Sequence, residues 1–401
     1  MLIRQQPRPG DSLRQGFRVS WMRSLLLLVL IAPLTAITPI NSSGVHAAVV
    51  PTFSPIIQAQ LRQAVIQALA GSSGSGAVIG IWLPGHGTWV RAVGRASLTT
   101  KQPTQVQDAT RIGSITKTFI GTLILQLAGE RKLTLDTPIA KWVPLAPNAA
   151  HITIRELLNH TSGIFDYAYD ASWQQQAIGL RFLGQWSPPQ LVRVSAAHRP
   201  YFSPGSGYHY SNTNYILLGM ILEKITGQKV EDLVQSRILQ PLGLHHTFFP
   251  TGEDLPNPHM EGYSTLLGHI PLTDVTRQNT SYWWTAGAMV SDLGDLHTWV
   301  QALATGKLLS PKLQKERLTW SPQSLTLLPD GQWGYGLGIS LVGGFLGHSG
   351  DVLGFSVAAY YLPSAQATIV AIMNADDGHT LPAQTLFLQL VTIVRDANGS
   401  Q

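Results

Sequence analysis

Three short segments of this 401-residue chain carry side chains that could act together on a carbonyl group. The first is Gly113-Ser114-Ile115-Thr116-Lys117. The apolar run after it predicts a helix over 115–130, so Ser114 falls where that helix begins and Lys117 returns one turn later on the same face. The positive end of the helix dipole then faces the Ser114 hydroxyl. A serine hydroxyl is a weak nucleophile until a base takes its proton. A lysine among apolar neighbours such as Ile112, Phe119 and Ile120 sheds its charge more readily and can be that base or relay. Taken alone, Ser-x-x-Lys is frequent by chance and reads first as an N-capping serine followed by a surface lysine.

The second segment is Tyr210-Ser211-Asn212, within a run that starts at Pro204-Gly205 and holds Tyr208, His209 and Tyr215. A tyrosine held near cations can lose its proton and act as a general base, and an adjacent Asn can orient a lysine or a substrate amide. The plain alternative is a tyrosine-rich surface loop. The third segment is His348-Ser349-Gly350 on an expected strand, followed by Asp351. Glycine in a strand admits a close backbone approach, and the N–H after it can point at a developing oxyanion together with the N–H of the nucleophile. A lone strand histidine is otherwise an ordinary hydrogen-bonded residue.

In this order the three segments resemble the signature of the penicillin-recognising serine hydrolases. The branch in question holds class C beta-lactamases and D-alanyl-D-alanine carboxypeptidases, and it carries Ser-x-x-Lys, Tyr-x-Asn and a Lys/His-x-Gly strand. The likeness extends to Asp108-Ala-Thr-Arg-Ile-Gly-Ser-Ile-Thr-Lys-Thr-Phe, Leu133-Thr-Leu-Asp, Ile152-Thr-Ile-Arg-Glu-Leu-Leu-Asn-His-Thr-Ser-Gly-Ile, Pro241-Leu-Gly-Leu, Thr285-Ala-Gly-Ala-Met-Val-Ser, Tyr335-Gly-Leu-Gly and Gly347-His-Ser-Gly-Asp-Val-Leu-Gly-Phe. It spans residues 52–395. A related set has Ser-Asp-Asn in the middle; Tyr210 places this chain in the tyrosine branch.

The resemblance implies a beta-lactamase/transpeptidase-like α+β fold, an antiparallel sheet flanked by helices with an inserted helical lobe and the site in the cleft between them. Ser114 would attack an amide or ester carbonyl, and Lys117 with Tyr210 would carry its proton to the leaving group. The N–H groups of Ser114 and Asp351 would hold the oxyanion. Asn212 would bind the acyl side chain, His348 would set local charge or bind a carboxylate, and Ser349 and Gly350 complete the substrate-binding strand. Class C beta-lactamases usually have Lys where this chain has His348. A histidine there resembles some D,D-carboxypeptidases, D-amino-acid amidases and esterases, so efficient beta-lactam hydrolysis is not expected. The activity implied first is a D-alanyl-D-alanine carboxypeptidase-like peptidase acting on cell-wall peptides, with beta-lactams as further ligands. An esterase, a D-amino-acid amidase or aminopeptidase, and a class C-like beta-lactamase share the same scaffold. A non-catalytic penicillin-binding module is disfavoured, since a dead copy is free to lose one of Ser114, Lys117, Tyr210 and Asn212.

The elements that must position these segments are legible in outline. Residues 55–70 carry Ile56, Ile57, Leu61, Val65, Ile66 and Leu69 at helical spacing. A glycine/serine loop over 71–76 leads into strands 77–83 and 88–93, joined by Pro84-Gly85-His86-Gly87. Short helices are expected at 152–159 and 213–226. A longer one opens near Ser291 and Asp292 and closes at Gly306. Long loops are expected around 165–205 and 250–280. Strands return at 335–342, 354–362 and 368–373 before a final helix over 382–395. Strands at both ends and helices between them predict one sheet built from the two ends of the chain. The sheet lobe covers about 52–115 and 325–398 and the helical lobe about 116–324, within a hydrolase domain over 48–401.

Composition removes other classes. Hydrophobic residues are 44% and charged residues 12%, which suits a large core and excludes disorder. Five Arg against Asp11 in residues 1–47 supply four of the net +5 charges, which leaves +1 for the rest and no basic footprint for nucleic acid. That basic start, the short apolar run 25–32 and the small-residue exit at Val45 and Ala47 predict a secretory signal over 1–47, with Met22 as a second candidate start. The product is then periplasmic or extracellular, with no stable membrane span after cleavage; an uncleaved anchor is the alternative. With no Cys there is no disulfide and no thiolate site. No cofactor or metal is expected. The 13 His include no His-Glu-x-x-His, and the adjacent His245 and His246 point apart. Neither a Gly-x-Ser-x-Gly elbow nor a phosphate-cradling glycine loop occurs. Small peptides, amides and esters, including peptidoglycan stem peptides, remain as substrates.

Overall fold

The computed structural model describes residues 52–72, 74–265, 272–325, 332–376 and 381–399. The expected secretory signal over 1–47 lies outside the described residues. Helix α1 (Pro55–Ala70) is capped by Ser54, whose hydroxyl accepts from the Ile57 amide, and Pro55 takes a first-turn position that needs no N–H. Leu61, Ala64 and Val65 are buried, whereas Ile56 and Ile66 are exposed. The buried stripe is narrower than the sequence spacing because α1 meets the rest of the protein on one side only.

Strands β1 (Gly76–Leu83) and β2 (Gly87–Gly94) form the expected hairpin. The middle of the chain supplies helices α2 (Thr116–Gly129), α3 (Asn212–Thr226) and α4 (Leu293–Thr305). Gly227 and Gly306 end the last two in the left-handed conformation that only glycine adopts cheaply. The C-terminal part gives strands β3 (Trp333–Tyr335), β4 (Ser340–Val342), β5 (Phe345–Val352), β6 (Phe355–Leu362) and β7 (Ala367–Met373), then helix α5 (Pro382–Gly399). All seven strands join one antiparallel sheet in the order β2-β1-β7-β6-β5-β4-β3. The two ends of the chain therefore share a sheet, as the period change implies.

Strand alternation divides the core in two. Ile79 and Ile81 of β1, Ala358 and Tyr360 of β6 and Ile369 and Ala371 of β7 pack with Leu61 and Val65 of α1 and Leu386, Phe387 and Leu390 of α5. Their neighbours Val78, Val357, Ala359, Val370 and Ile372 belong to a larger core with Phe119 and Leu123 of α2, Leu217 and Ile221 of α3, and Leu296 and Trp299 of α4. Both faces of the sheet are covered, so its central strands read as continuous apolar runs.

Two expectations change. The single strand expected over 335–342 is a hairpin, closed by the Gly336 N–H on the Ile339 carbonyl with Gly338 at φ +73°. The loop expected around 165–205 holds two helices, Ala171–Gly179 and Pro188–Ala196. Their starts are marked by Asp170 and by a Ser187/Gln190 capping box, but each buries only two or three residues, too few for a readable stripe. Among the described residues no helix is long and apolar enough to cross a membrane.

Candidate active site

The site lies where β5 loses its neighbour. β4 pairs with β5 only as far as Gly347, so among the described residues the edge from His348 to Val352 has no strand partner on that side. The turn Gly113–Ile115, which leads into α2, is set against that edge. Two glycines allow the approach. A Cβ on Gly350 would overlap the Ile112 carbonyl oxygen and lie 2.9 Å from the Ser114 nitrogen. Gly113 has φ +49°, and a Cβ there would lie 2.8 Å from the Asp351 nitrogen. The backbone nitrogens of Ser114 and Asp351 thus both lie at the contact between turn and strand. Gly350→Ala is expected to push the strand off the turn. It should lower stability by roughly 1–3 kcal/mol and activity by roughly 100-fold, read by thermal melting and ester turnover.

Ser114 is half-buried, and Lys117 below it is fully buried. The Lys117 Nζ donates to Ser114 Oγ at 2.9 Å, to Asn212 Oδ1 at 2.8 Å and to the Ala286 carbonyl at 2.7 Å. Burial lowers its pKa from the usual 10.5 to about 7, against an opposing pull from the Asp166 carboxylate. A neutral lysine is therefore accessible near neutral pH. Asn212 opens α3, and its Nδ2 donates to Asp166 Oδ2 at 2.9 Å. The amide thus spans Lys117 on its oxygen side and Asp166 on its nitrogen side.

The Tyr210 ring lies 4.8 Å from the Lys117 Nζ and stacks on His160 at 4.2 Å between centroids. Its hydroxyl is buried and makes no hydrogen bond of full geometry. Burial pushes its pKa well above the ordinary value, with the Ser114 hydroxyl pulling the other way. Near neutral pH Tyr210 is a phenol that can pass a proton, not the ready-made phenolate base that a tyrosine near cations suggests. His160 accepts from the Ser211 N–H at 3.1 Å through Nδ1 and is uncharged, its pKa lowered chiefly by burial.

His348 also departs from expectation. Its Nδ1 faces the Ser349 carbonyl, which can only accept, so Nδ1 carries the proton and Nε2 accepts from the Tyr335 hydroxyl at 2.8 Å. Burial lowers its pKa to about 3. Buried, neutral and with both ring nitrogens engaged, His348 offers no positive charge to a carboxylate. Ser349 lies beside Tyr360, on the α5 side of the sheet, so its side chain is away from Ser114. The Asp351 carboxylate accepts from Ser356 Oγ at 2.5 Å, and Ser356 accepts from the Ala383 N–H where α5 begins.

Of the expected residues, the structure brings together Ser114, Lys117, Tyr210, Asn212, Gly350 and the Asp351 backbone. Sequence reasoning missed Asp166, the Ala286 carbonyl and the roles of His160 and Tyr335. Asp166 lies two residues past the end of the Ile152 motif, but a single acid there carries no local sign that it is buried. Elsewhere, His246 meets Asp292 and Asp295 rather than His245; Asp292 also accepts the Asp295 N–H at the start of α4, and Asp295 accepts the His246 backbone N–H.

A family model described as Beta-lactamase matches residues 61–391. The chain resembles the solved structure of a D-stereospecific amidohydrolase from Streptomyces sp., with 36% identity and a TM-score of 0.71 over 79% of this chain and 94% of that one. It also resembles the D-amino acid amidase from Ochrobactrum anthropi SV3 complexed with L-phenylalanine amide, at 26% identity and a TM-score of 0.74, covering 86% and 99%. A D-aminopeptidase of Cereibacter sphaeroides is 26% identical over 78% of this chain and 59% of its own. The chain spans about three fifths of the length of the first curated relatives it matches, one named as a penicillin-binding protein and one as a D-aminopeptidase.

Proposed function

The chain belongs to the Beta-lactamase family of serine hydrolases, and from that premise we propose that it cleaves amides of D-amino acids, or the N-terminal D-residue of short peptides, through an acyl-enzyme on Ser114. The observation that carries this reading is the state of His348: a histidine at this position also resembles some D,D-carboxypeptidases, but here it is buried, neutral and engaged at both ring nitrogens. A carboxypeptidase must hold the terminal carboxylate of its substrate beside the scissile bond. Strand β5 offers no Lys or Arg for that, and its histidine is neutral and engaged. An amide or ester has no such carboxylate and needs no cation there. The amidohydrolase, amidase and aminopeptidase names among the relatives support the same choice over the D,D-carboxypeptidase first implied.

The proposed reaction follows from the geometry. Neutral Lys117 takes the Ser114 proton as Oγ bonds to the carbonyl carbon. The oxygen gains negative charge beside the N–H groups of Ser114 and Asp351. The C–N bond then breaks and the leaving nitrogen receives the proton held by Lys117, passed through the Tyr210 hydroxyl. Water attacks the ester, returns a proton to Ser114 and releases the acid. Because the base must be uncharged and Lys117 titrates at about 7, kcat/KM is expected to rise with pH through that region and level off above it. Tyr210 adds no descending limb below pH 9, since burial keeps it protonated. A flat profile from pH 5 to 9 contradicts Lys117 as the base.

The test is a substrate panel on the purified protein: D- and L-phenylalanine amide, D-alanine amide, a peptide ending in D-Ala-D-Ala and p-nitrophenyl esters. Ammonia released from the D-amides and not from the L-form supports the proposal. Hydrolysis of the D-Ala-D-Ala peptide with none of the amides overturns it. We also propose export, with a mature N-terminus at Ala48, read by N-terminal sequencing of the processed protein.

A further inference from the structure

We propose that Asp166 is a positioning residue that fixes the Asn212 amide, so that the lone pair of Lys117 has only Ser114 to face. This rests on the reading of Lys117 as the base. The Nζ has three partners, Ser114 Oγ, Asn212 Oδ1 and the Ala286 carbonyl. A charged lysine donates to all three. A neutral one has two N–H bonds and one lone pair. The Ala286 carbonyl can only accept, and so can Asn212 while its oxygen faces Nζ. Both N–H bonds are then taken, and the lone pair is left for the one partner with a proton to give, the Ser114 hydroxyl.

The arrangement fails if the Asn212 amide turns over. Its NH₂ would then donate to the Lys117 lone pair, and Ser114 would lose its base. Asp166 blocks that turn. Its Oδ2 accepts from Asn212 Nδ2 at 2.9 Å, and a carboxylate has no proton to offer the amide oxygen. Asp166 is itself held, 1% exposed, with Oδ1 accepting the Ala168 N–H at 3.0 Å. Burial raises its pKa, but the hydrogen bonds from Asn212 and Ala168 and the Lys117 charge favour its ionised form. The other groups around Lys117 are the rings of Tyr210 and Tyr215, at 4.8 and 5.6 Å, and the imidazoles of His160 and His348. Burial keeps the two tyrosines protonated and the two histidines neutral, so Asp166 is the negative charge acting on Lys117.

Asp166→Asn keeps the shape and removes both the charge and the one-way acceptor. The readout is the rate at which a fluorophosphonate labels Ser114 in the full chain from pH 5 to 9, which reports nucleophilicity whatever the natural substrate. The plateau rate is expected to fall roughly 10- to 100-fold, the scale of a misplaced catalytic group. The midpoint should move down by about one pH unit, because an attracting negative charge is gone. In an Asn212→Ala background the same change should alter the plateau less than about 2-fold, since Asp166 acts through Asn212. An unchanged plateau, an unmoved midpoint or an undiminished effect in that background overturns the proposal. If Asp166→Asn does not fold, Asp166→Glu keeps acceptor and charge but misplaces them. It should lower the plateau without moving the midpoint, and a wild-type plateau overturns the proposal. Absence of Ser114-dependent labelling in the unmodified protein would instead fault the Lys117–Ser114 reading itself.

Discussion

Ser114→Ala is expected to yield a protein that folds and melts as the parent does but forms no acyl-enzyme. Loss of a nucleophile costs on the order of 10⁶-fold in turnover where the remaining groups have nothing to activate. Ser114 sits on a half-buried turn held by backbone contacts with Gly350 and Asp351. Removing its oxygen deletes one hydrogen bond, to Lys117, and stability should stay within about 1.5 kcal/mol of the parent. Intact mass after treatment with a fluorophosphonate or a penicillin reads the adduct, and a thermal melt reads the fold. A covalent adduct on the alanine variant would place the nucleophile elsewhere.

Lys117→Met should lower acylation by roughly 10³- to 10⁴-fold, the scale of a general base, while leaving Ser114 in place. It also tests burial. The folded lysine titrates at about 7 and an unfolded one at 10.5. Between those values the unfolded chain holds a proton that the folded chain has lost. Stability therefore rises with pH across that window, reversing the usual pattern for a paired lysine. The methionine variant should lack that slope. Denaturant midpoints at pH 7 and 9.5 read it, and an identical slope in both proteins would mean that Lys117 is not the buried group described.

Much of this site is readable in the sequence because its members open local elements. Ser114 and Lys117 mark the start of α2, Tyr210 and Asn212 the start of α3, and Gly350 and Asp351 lie on a strand. What was not readable depends on partners far along the chain. Asp166 matters because Asn212, 46 residues later, turns its amide toward it. His348 looks like a charge carrier until Tyr335 and burial make it neutral. The sheet was legible from apolar runs at both ends. The hairpin between β3 and β4 was not, since the whole stretch 335–342 has one composition and only the Gly338 backbone divides it.

The seam of that sheet governs when the protein can fold. β1 pairs with β7 along its length, from Ala77 against Met373 to Trp82 against Thr368. Nothing made early in synthesis can pair there until the end of the chain has emerged. The β1–β2 hairpin must wait with one edge open, and an isolated two-stranded hairpin is marginal in water. Such distant pairing implies slow folding, with the sheet closed only once β7 is in place. A chain shortened before β7 keeps Lys117, Gly350 and Asp351 around Ser114, yet has no middle to its sheet.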